Sequence, residues 1–422
     1  MAILSEQGGE RPISGFVALL VTMGCGAIND NLLRGALLLS VAPGGLWGDD
    51  LGKGGTGWVT TMLYVPFILL LGITGQMADR YPKRRVIVWT RVVEIGLAGG
   101  VTVALATQSL PMTCVFFVLL AAQSAFFSPA KYGSVPELVS DRNLSRANGV
   151  LSMLTNMAII LGVAAAGVLL EVGPVFLGLI MVAVATVSLV SSLFIPAGCA
   201  ADPSLRVSAR TFTAHVRVLR RMWGTPLIHA TAAWCWFYAI GSLVITIVPL
   251  WRERMELSDA AAGAMLAAPG IGIGVGGLIA GLGSGDRIRA VLIPIGAAGM
   301  TVTFVLLGVM EPAYVPVLVL LVACGIFAGF YVLPVLAMLQ HLPVTTFRAR
   351  TVGTANFATY LAMAASAILF GVAAPVVGGE PGPWFLGCAV AMGCVLVLSL
   401  VRRRVMQAGA CPASFASVGG DP

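Results

Sequence analysis

Charge is what this sequence has least of. Of its 422 residues only 10% are Asp, Glu, Lys or Arg, and 58% are hydrophobic, giving a mean hydropathy of +0.95. Soluble domains carry roughly a quarter charged residues, so a water-soluble globule is excluded. Histidine is scarcer still: only His215, His229 and His341 are present, and the first and last fall in or beside loops. The eight cysteines are scattered, mostly within apolar runs (Cys25, Cys114, Cys235, Cys324, Cys388, Cys394), and no CxxC pair occurs. Neither a metal site nor a disulfide frame is indicated. GxSxG, HExxH, a Walker loop and a His/Asp acyltransferase signature are all missing, so no enzyme and no cofactor is expected. Short segments of alternating polarity are missing too, which excludes a β-barrel.

What fills the chain instead is long apolar runs. Twelve are long enough to cross a bilayer, at 13–41, 56–78, 86–106, 110–131, 146–170, 174–195, 227–251, 260–283, 290–310, 314–340, 351–374 and 384–401. Glycines such as Gly270, Gly272, Gly274, Gly276 and Gly277 suit close-packed membrane helices. The first run is too long for a signal-peptide core and no small-residue cleavage site follows it, so a retained helix is expected. With the N-terminus inside, Arg11, the Arg80/Lys83/Arg84/Arg85 cluster, Arg142, Arg146, the group from Arg206 to Arg221, Arg287, Arg289, Arg348, Arg350 and Arg402 to Arg404 share one side. Only Lys53, Arg252 and Arg254 fall on the other. Basic loops stay in the cytoplasm, so both termini are expected there. The net charge of +7 is accordingly a topology signal, not a sign of nucleic-acid binding.

The longest connection, 196–225, divides the runs six and six. The expected organisation is an N-terminal six-helix bundle (1–195), a cytoplasmic linker (196–225), a C-terminal six-helix bundle (226–405) and a disordered Ala/Ser/Gly-rich tail (406–422). The halves echo each other. GQMADRYPKRR at 75–85 recurs in degraded form as GLGSGDRIRA at 281–290, Asp286-Arg287 answering Asp79-Arg80; SRANGVLSMLTNMAIILG after the fourth run is answered by GTANFATYLAMAASAILFG after the tenth. A two-fold repeat of six helices with short basic loops resembles the major facilitator superfamily. The fold expected is all-α, a twelve-helix 6+6 pseudo-symmetric membrane protein. Gly75, Asp79, Arg80, Arg84, Asp286 and Arg287 are then the gating residues. Asp79, at a helix end, accepts hydrogen bonds from neighbouring helix N-termini and basic side chains that break as the halves rock. In the family's usual form a glycine precedes the basic run; here Pro82 stands there.

Charges inside the membrane cost several kcal/mol unless paired or wet, so they mark cargo or coupling sites. In CGAINDNLLRGALLL, Asp30 and Arg34 are four apart, on one helix face, and can neutralise each other. Arg91 and Glu94, three apart in the third run, read as a structural pair. Asp30 reads as a pathway residue, and Asp30 and Glu94 are the coupling candidates, for sodium or a proton. FFSPAKYGSVPEL at 126–138 ends the fourth run and places Lys131 and Glu137 there. Lys131 either snorkels to the surface as an anchor or faces the cavity, where it attracts an anionic headgroup or pairs with Asp30 or Glu137.

That string, with DRNLSRANGVLSMLTNMAIILG after it, closely resembles the lysophospholipid transporter (LplT) family, including the transporter half of fused acyltransferase/acyl-ACP synthetase proteins. NDN at 29–31, GQMAD at 75–79, WCWF at 234–237 leading to GIGIGVGGLI at 270–279, and GFYVLPVLAMLQ at 329–340 extend the likeness. The resemblance implies flipping of lysophospholipids, chiefly lysophosphatidylethanolamine, from the outer to the inner leaflet of a bacterial inner membrane for re-acylation. Its cavity residues carry over onto Asp30 and Lys131, then Asn31 and Glu137. Trp234, Trp236, Tyr331 and Asn356 are the cavity candidates of the second half, each with simple packing or an interfacial aromatic as the other reading. Some members carry a basic residue in the seventh helix, where this chain reads YAIGSLVITIVPL, with Arg252 beyond it. The chain stops at 422, so the acyltransferase is expected as a separate partner, and the transporter as a monomer in the bilayer. The rival readings are a proton-coupled multidrug or small-amphiphile exporter of the same superfamily, and a non-transporting scaffold, which would need neither a gating loop nor a buried Asp30.

Overall fold

A computed structural model describes residues 13–140, 143–205, 207, 211–284, 290–341 and 345–401. Within them the regular structure is helical: α1 (Ile13–Val41), α2 (Gly55–Arg80), α3 (Lys83–Ala106), α4 (Leu110–Leu138), α5 (Leu144–Val172), α6 (Pro174–Ser192), α7 (Thr211–Met222), α8 (Pro226–Ile247), α9 (Trp251–Arg254), α10 (Asp259–Ser284), α11 (Leu292–Val309), α12 (Tyr314–His341), α13 (Thr345–Val377) and α14 (Pro381–Val401). All but α7 contribute to twelve spans long and apolar enough to cross a membrane, α9 forming the end of the span Pro226–Arg254 that α8 begins. The chain is an all-α, multi-pass membrane protein.

Helix boundaries follow local chemistry. Ser109 caps α4 by accepting from the Met112 N–H at 3.4 Å, with proline next but one. Pro82 stands at the N-cap of α3 with φ −53°, and its carbonyl accepts from the Arg85 N–H at 2.9 Å. The ring's fixed φ suits that position, so the proline at the family's glycine site makes a sound turn.

The chain divides into two compact units. The first comprises Met1–Ser40, Met62–Thr211 and Ser258–Ala264; the second comprises Val41–Thr61, Phe212–Leu257 and Met265–Pro422. In the first, α3 packs on α4 and α6, over a core that includes Phe16, Leu19, Met23, Ile87, Phe127 and Leu151. Helices α1 and α5 meet closely at Gly162, where a Cβ would lie 2.7 Å from the Ile28 carbonyl oxygen and 3.0 Å from Asn31 Cβ. In the second unit α11 packs on α12 and α14, and α8 on α13. Helices α10 and α12 approach backbone to backbone: a Cβ on Gly325 would sit 2.8 Å from Gly272 Cα, and one on Gly329 2.6 Å from the Gly277 nitrogen. Small residues at such spacing give membrane helices their van der Waals contact. Aromatic contacts complete this core, Trp251 stacked on Phe385 at 4.9 Å and Phe370 tilted against Trp384 at 4.5 Å.

The connection read as a linker contains a helix. His215 of α7 stacks on Phe357 of α13 with centroids 4.6 Å apart, and its Nδ1 lies 3.0 Å from Thr354 Oγ1. Burial pushes this imidazole below its ordinary pKa.

Candidate functional site

The first unit gathers the intramembrane charges. Asp30 Oδ2 accepts from the Ser124 hydroxyl at 2.6 Å. Ser124 also lies 3.3 Å from Gln123 Oε1, and the Gln123 amide donates to the Thr90 carbonyl at 3.0 Å. Arg34 stands one helical turn after Asp30 in α1, yet among the described residues the two do not pair. Arg34 donates from Nη2 to Tyr64 Oη at 3.0 Å, with its guanidinium 5.8 Å from the same ring's centroid. The tyrosine offers a buried guanidinium both an acceptor and a π-face, while Ser124 on α4 holds the carboxylate.

Arg91 and Glu94 do pair, Nη1 to Oε2 at 2.5 Å, each 1% exposed. Asn29 Nδ2 donates to Glu94 Oε1 at 3.0 Å and to the Met181 carbonyl at 3.1 Å. The Arg91 guanidinium carbon also lies 4.0 Å from the Phe127 centroid. Glu94 is thus neutralised and fixed, whereas among the described residues Asp30 is held by a single hydroxyl. The neighbouring Asn31 bonds its own helix, to the Ala27 carbonyl at 2.8 Å.

The string 126–138 divides its charges between two tasks. Lys131 Nζ lies 4.8 Å from the Tyr132 centroid and 5.8 Å from that of Phe127, one turn back. Helical side chains lean toward the N-terminus, so the ammonium extends back along α4 toward Ser124. Glu137 does not pair with Lys131; it forms an ion pair with Lys83 of α3. Gly133 makes room for that bridge, since a Cβ there would meet Lys83 Cε at 2.8 Å.

At the gating loop, Arg80 stacks over Tyr81 at 5.6 Å and Arg84 donates to the Leu193 carbonyl at 2.8 Å. Asp79 is exposed, and its backbone carbonyl accepts from the Asp202 N–H at 2.9 Å. Its carboxylate forms no hydrogen bond or ion pair among the described residues. Gly75 faces open space. Asp286 and Arg287 lie outside the described residues. In the second unit Tyr331 is fully buried and donates to the Ala233 carbonyl at 3.2 Å, stacked on Phe237 at 5.7 Å. It is a packing residue in this arrangement. Trp234 is buried against Tyr238. Trp236 is 46% exposed and its indole N–H reaches the Ala391 carbonyl at 3.3 Å; Asn356 is exposed.

Sequence reasoning missed the partners Ser124, Gln123 and Tyr64. The adjacent polar pair Gln123-Ser124, inside an otherwise apolar run, was the available signal for two of them.

The comparisons with known proteins bear on this arrangement. Residues 16–367 match the model of the Major Facilitator Superfamily. The lysophospholipid transporter LplT of Salmonella arizonae is 31% identical over 294 residues, 67% of this chain and 70% of that protein. The chain belongs to the LplT family of the Major Facilitator Superfamily. A second LplT, from an Enterobacter species, is 29% identical over 83% of this chain and 86% of its own. A solved POT family transporter in complex with 5-aminolevulinic acid superposes with a TM-score of 0.77 at 12% identity, covering 96% of this chain and 99% of that one; at that identity it shows the fold alone. Membership of the LplT family makes this chain a transporter and not an enzyme.

Proposed function

We propose that this protein is an alternating-access transporter that flips lysophospholipids, lysophosphatidylethanolamine first among them, from the outer to the inner leaflet of a bacterial inner membrane, where a separate acyltransferase re-acylates them. Both termini are cytoplasmic in this reading, and the six-helix halves at 1–195 and 226–405 rock about the linker at 196–225, the loops at Asp79-Arg80 and Asp286-Arg287 gating the motion. The observation that carries it is the pairing of Asp30 with a serine hydroxyl and of Lys131 with aromatic faces. Both are intramembrane charges left open to a ligand, whereas Glu94 and Glu137 are taken by Arg91 and Lys83.

Ser124 and Lys131 are seven residues apart, on one face of α4 and about 10 Å along its axis. A zwitterionic headgroup fits such a pair of opposite charges, its phosphate at Lys131 and its amine at Asp30. The acyl chain needs no polar lining and trails among helices or in the bilayer, which matches a sequence so poor in charge. Glu94 is locked, so coupling to a proton or sodium falls to Asp30.

The test is uptake of labelled lysophosphatidylethanolamine into spheroplasts expressing wild type, Asp30→Ala or Lys131→Ala at matched surface levels. Uptake by wild type that both substitutions reduce to background is the expected result. No uptake by wild type, with raised efflux of dyes or drugs, would transfer the protein to the exporter reading.

A further inference from the structure

Beyond the transport pathway, the first unit has a groove of about 530 Å³ formed by the end of α2 with α3 and α4. Its long wall is one face of α3, where Arg85, Trp89, Val93 and Leu97 follow at intervals of four; Leu119 and Phe126 of α4 face them. Twelve residues of helix rise about 18 Å, close to the depth of one leaflet of a hydrocarbon core about 30 Å thick. The wall is apolar except at one end. Val93 is 47% exposed and Trp89 63%, so the groove opens outward along its length.

Arg85 stands at that polar end, and the adjoining cations are already committed: Lys83 to Glu137, Arg84 to the Leu193 carbonyl, Arg80 to the Tyr81 ring. Arg85 is exposed and has no acidic or carbonyl partner among the described residues. A groove one leaflet deep with a free guanidinium at its mouth matches a molecule with an apolar chain and an anionic head. We propose that it binds a diacyl phospholipid of net negative charge from the leaflet on the α2–α3 side, one acyl chain lying along α3 and the phosphate at Arg85. A second copy of this chain would gain nothing from Arg85, which faces an apolar wall and no carboxylate. The site also adjoins the transport machinery: Thr90 and Gln123 line the groove, and Gln123 touches the serine that holds Asp30.

Native mass spectrometry of the full chain in detergent, titrated with dioleoyl phosphatidylglycerol or dioleoyl phosphatidylethanolamine, tests this. Wild type should retain one phosphatidylglycerol in preference to phosphatidylethanolamine, and excess lysophosphatidylethanolamine should not displace it. Arg85→Ala should weaken phosphatidylglycerol binding about fivefold, the scale of one interfacial cation, and leave phosphatidylethanolamine unchanged. Val93→Trp, a filling change at a half-exposed position that the core does not feel, should abolish retention of either lipid. Arg146→Ala removes an exposed cation elsewhere on the unit and should change nothing. Equal retention of the two lipids by wild type, equal loss in Arg85→Ala and Arg146→Ala, displacement by lysophosphatidylethanolamine, or a second protein chain in place of lipid would each overturn the proposal.

Discussion

The two units solve the problem of a membrane interior in opposite ways. In the first, buried residues include Arg34, Lys83, Arg91 and Glu94, each provided with a partner, around an aspartate and a lysine held more loosely. In the second, the buried polar residues among those described are serines and threonines, such as Thr231, Ser242, Thr246, Thr303 and Thr359. Most of these hydroxyls return to the carbonyl three or four residues back in their own helix, as Thr246 does to Ser242 and Thr359 to Ala355. In the first unit buried charges join helices that also approach closely, as at Gly162; in the second the buried contacts rest on how closely backbones approach. A charge in lipid must find a partner or serve a ligand, so the first unit is where chemistry is expected; the second can be rigid on shape alone.

Breaking the electrostatic unit should have the largest effect. Arg91→Met leaves Glu94 buried without a counter-ion, which costs about 3–5 kcal/mol, and should abolish recovery of monodisperse protein in detergent. Arg91→Met with Glu94→Gln removes both charges and should restore most of it; failure of the double variant would show that the guanidinium matters through its contact with Phe127. The shape-based unit is tested next. Gly325→Leu forces α12 away from α10, where a Cβ would already meet the Pro269 carbonyl oxygen and Gly272 Cα, a loss of about 1–3 kcal/mol. Gly274→Leu, where an added Cβ meets nothing within 4 Å, should leave the melting temperature unchanged. Similar losses in both variants would mean that glycine there serves something other than close approach.

The same contrast governs what could be read from sequence. Twelve spans, the all-α class and the family resemblance were legible because hydropathy and the string 126–138 are local signals. Gly272 and Gly276 of α10 were legible as packing residues for the same reason, whereas Gly274, read with them, faces open space. Pairing was not. Asp30 and Arg34 satisfy the i,i+4 rule, yet each finds a better partner on another helix, in Ser124 and Tyr64, and no spacing within α1 encodes that choice. Glu137 sits six residues from Lys131 but answers Lys83, more than fifty residues away, through room left by Gly133. The Arg91–Glu94 contact was legible because three residues on a helix bring the side chains together; their third member, Asn29, was invisible.

Smaller effects sharpen the contrast within the first unit. Ser124→Ala removes the single hydrogen bond seen on the Asp30 carboxylate, a change of about 1.5–3 kcal/mol for a bond to a charged group. Folding should survive the loss of one hydrogen bond, while lysophosphatidylethanolamine uptake falls about tenfold or more. Ser124→Thr keeps the donor and should retain uptake. Loss of stability in Ser124→Ala comparable to Arg91→Met would instead place Asp30 among the structural charges.

The smallest expected effect lies in the second unit, at the His215 contact with Phe357 and Thr354. Its pKa is depressed by burial, so as pH falls the unfolded chain takes up a proton before the docked one does. The contribution of the α7–α13 contact is therefore complete above about pH 6.5 and declines below it, toward the lowered folded value. Corrected for the intrinsic pH dependence of amide exchange, protection in α7 should fall a few-fold between pH 7 and pH 5 in wild type. His215→Phe keeps a ring against Phe357 and removes the proton site, so its corrected protection should be flat over that interval. An unchanged pH dependence in this variant would move the sensitivity to another group and leave the second unit, like its glycine seams, indifferent to charge.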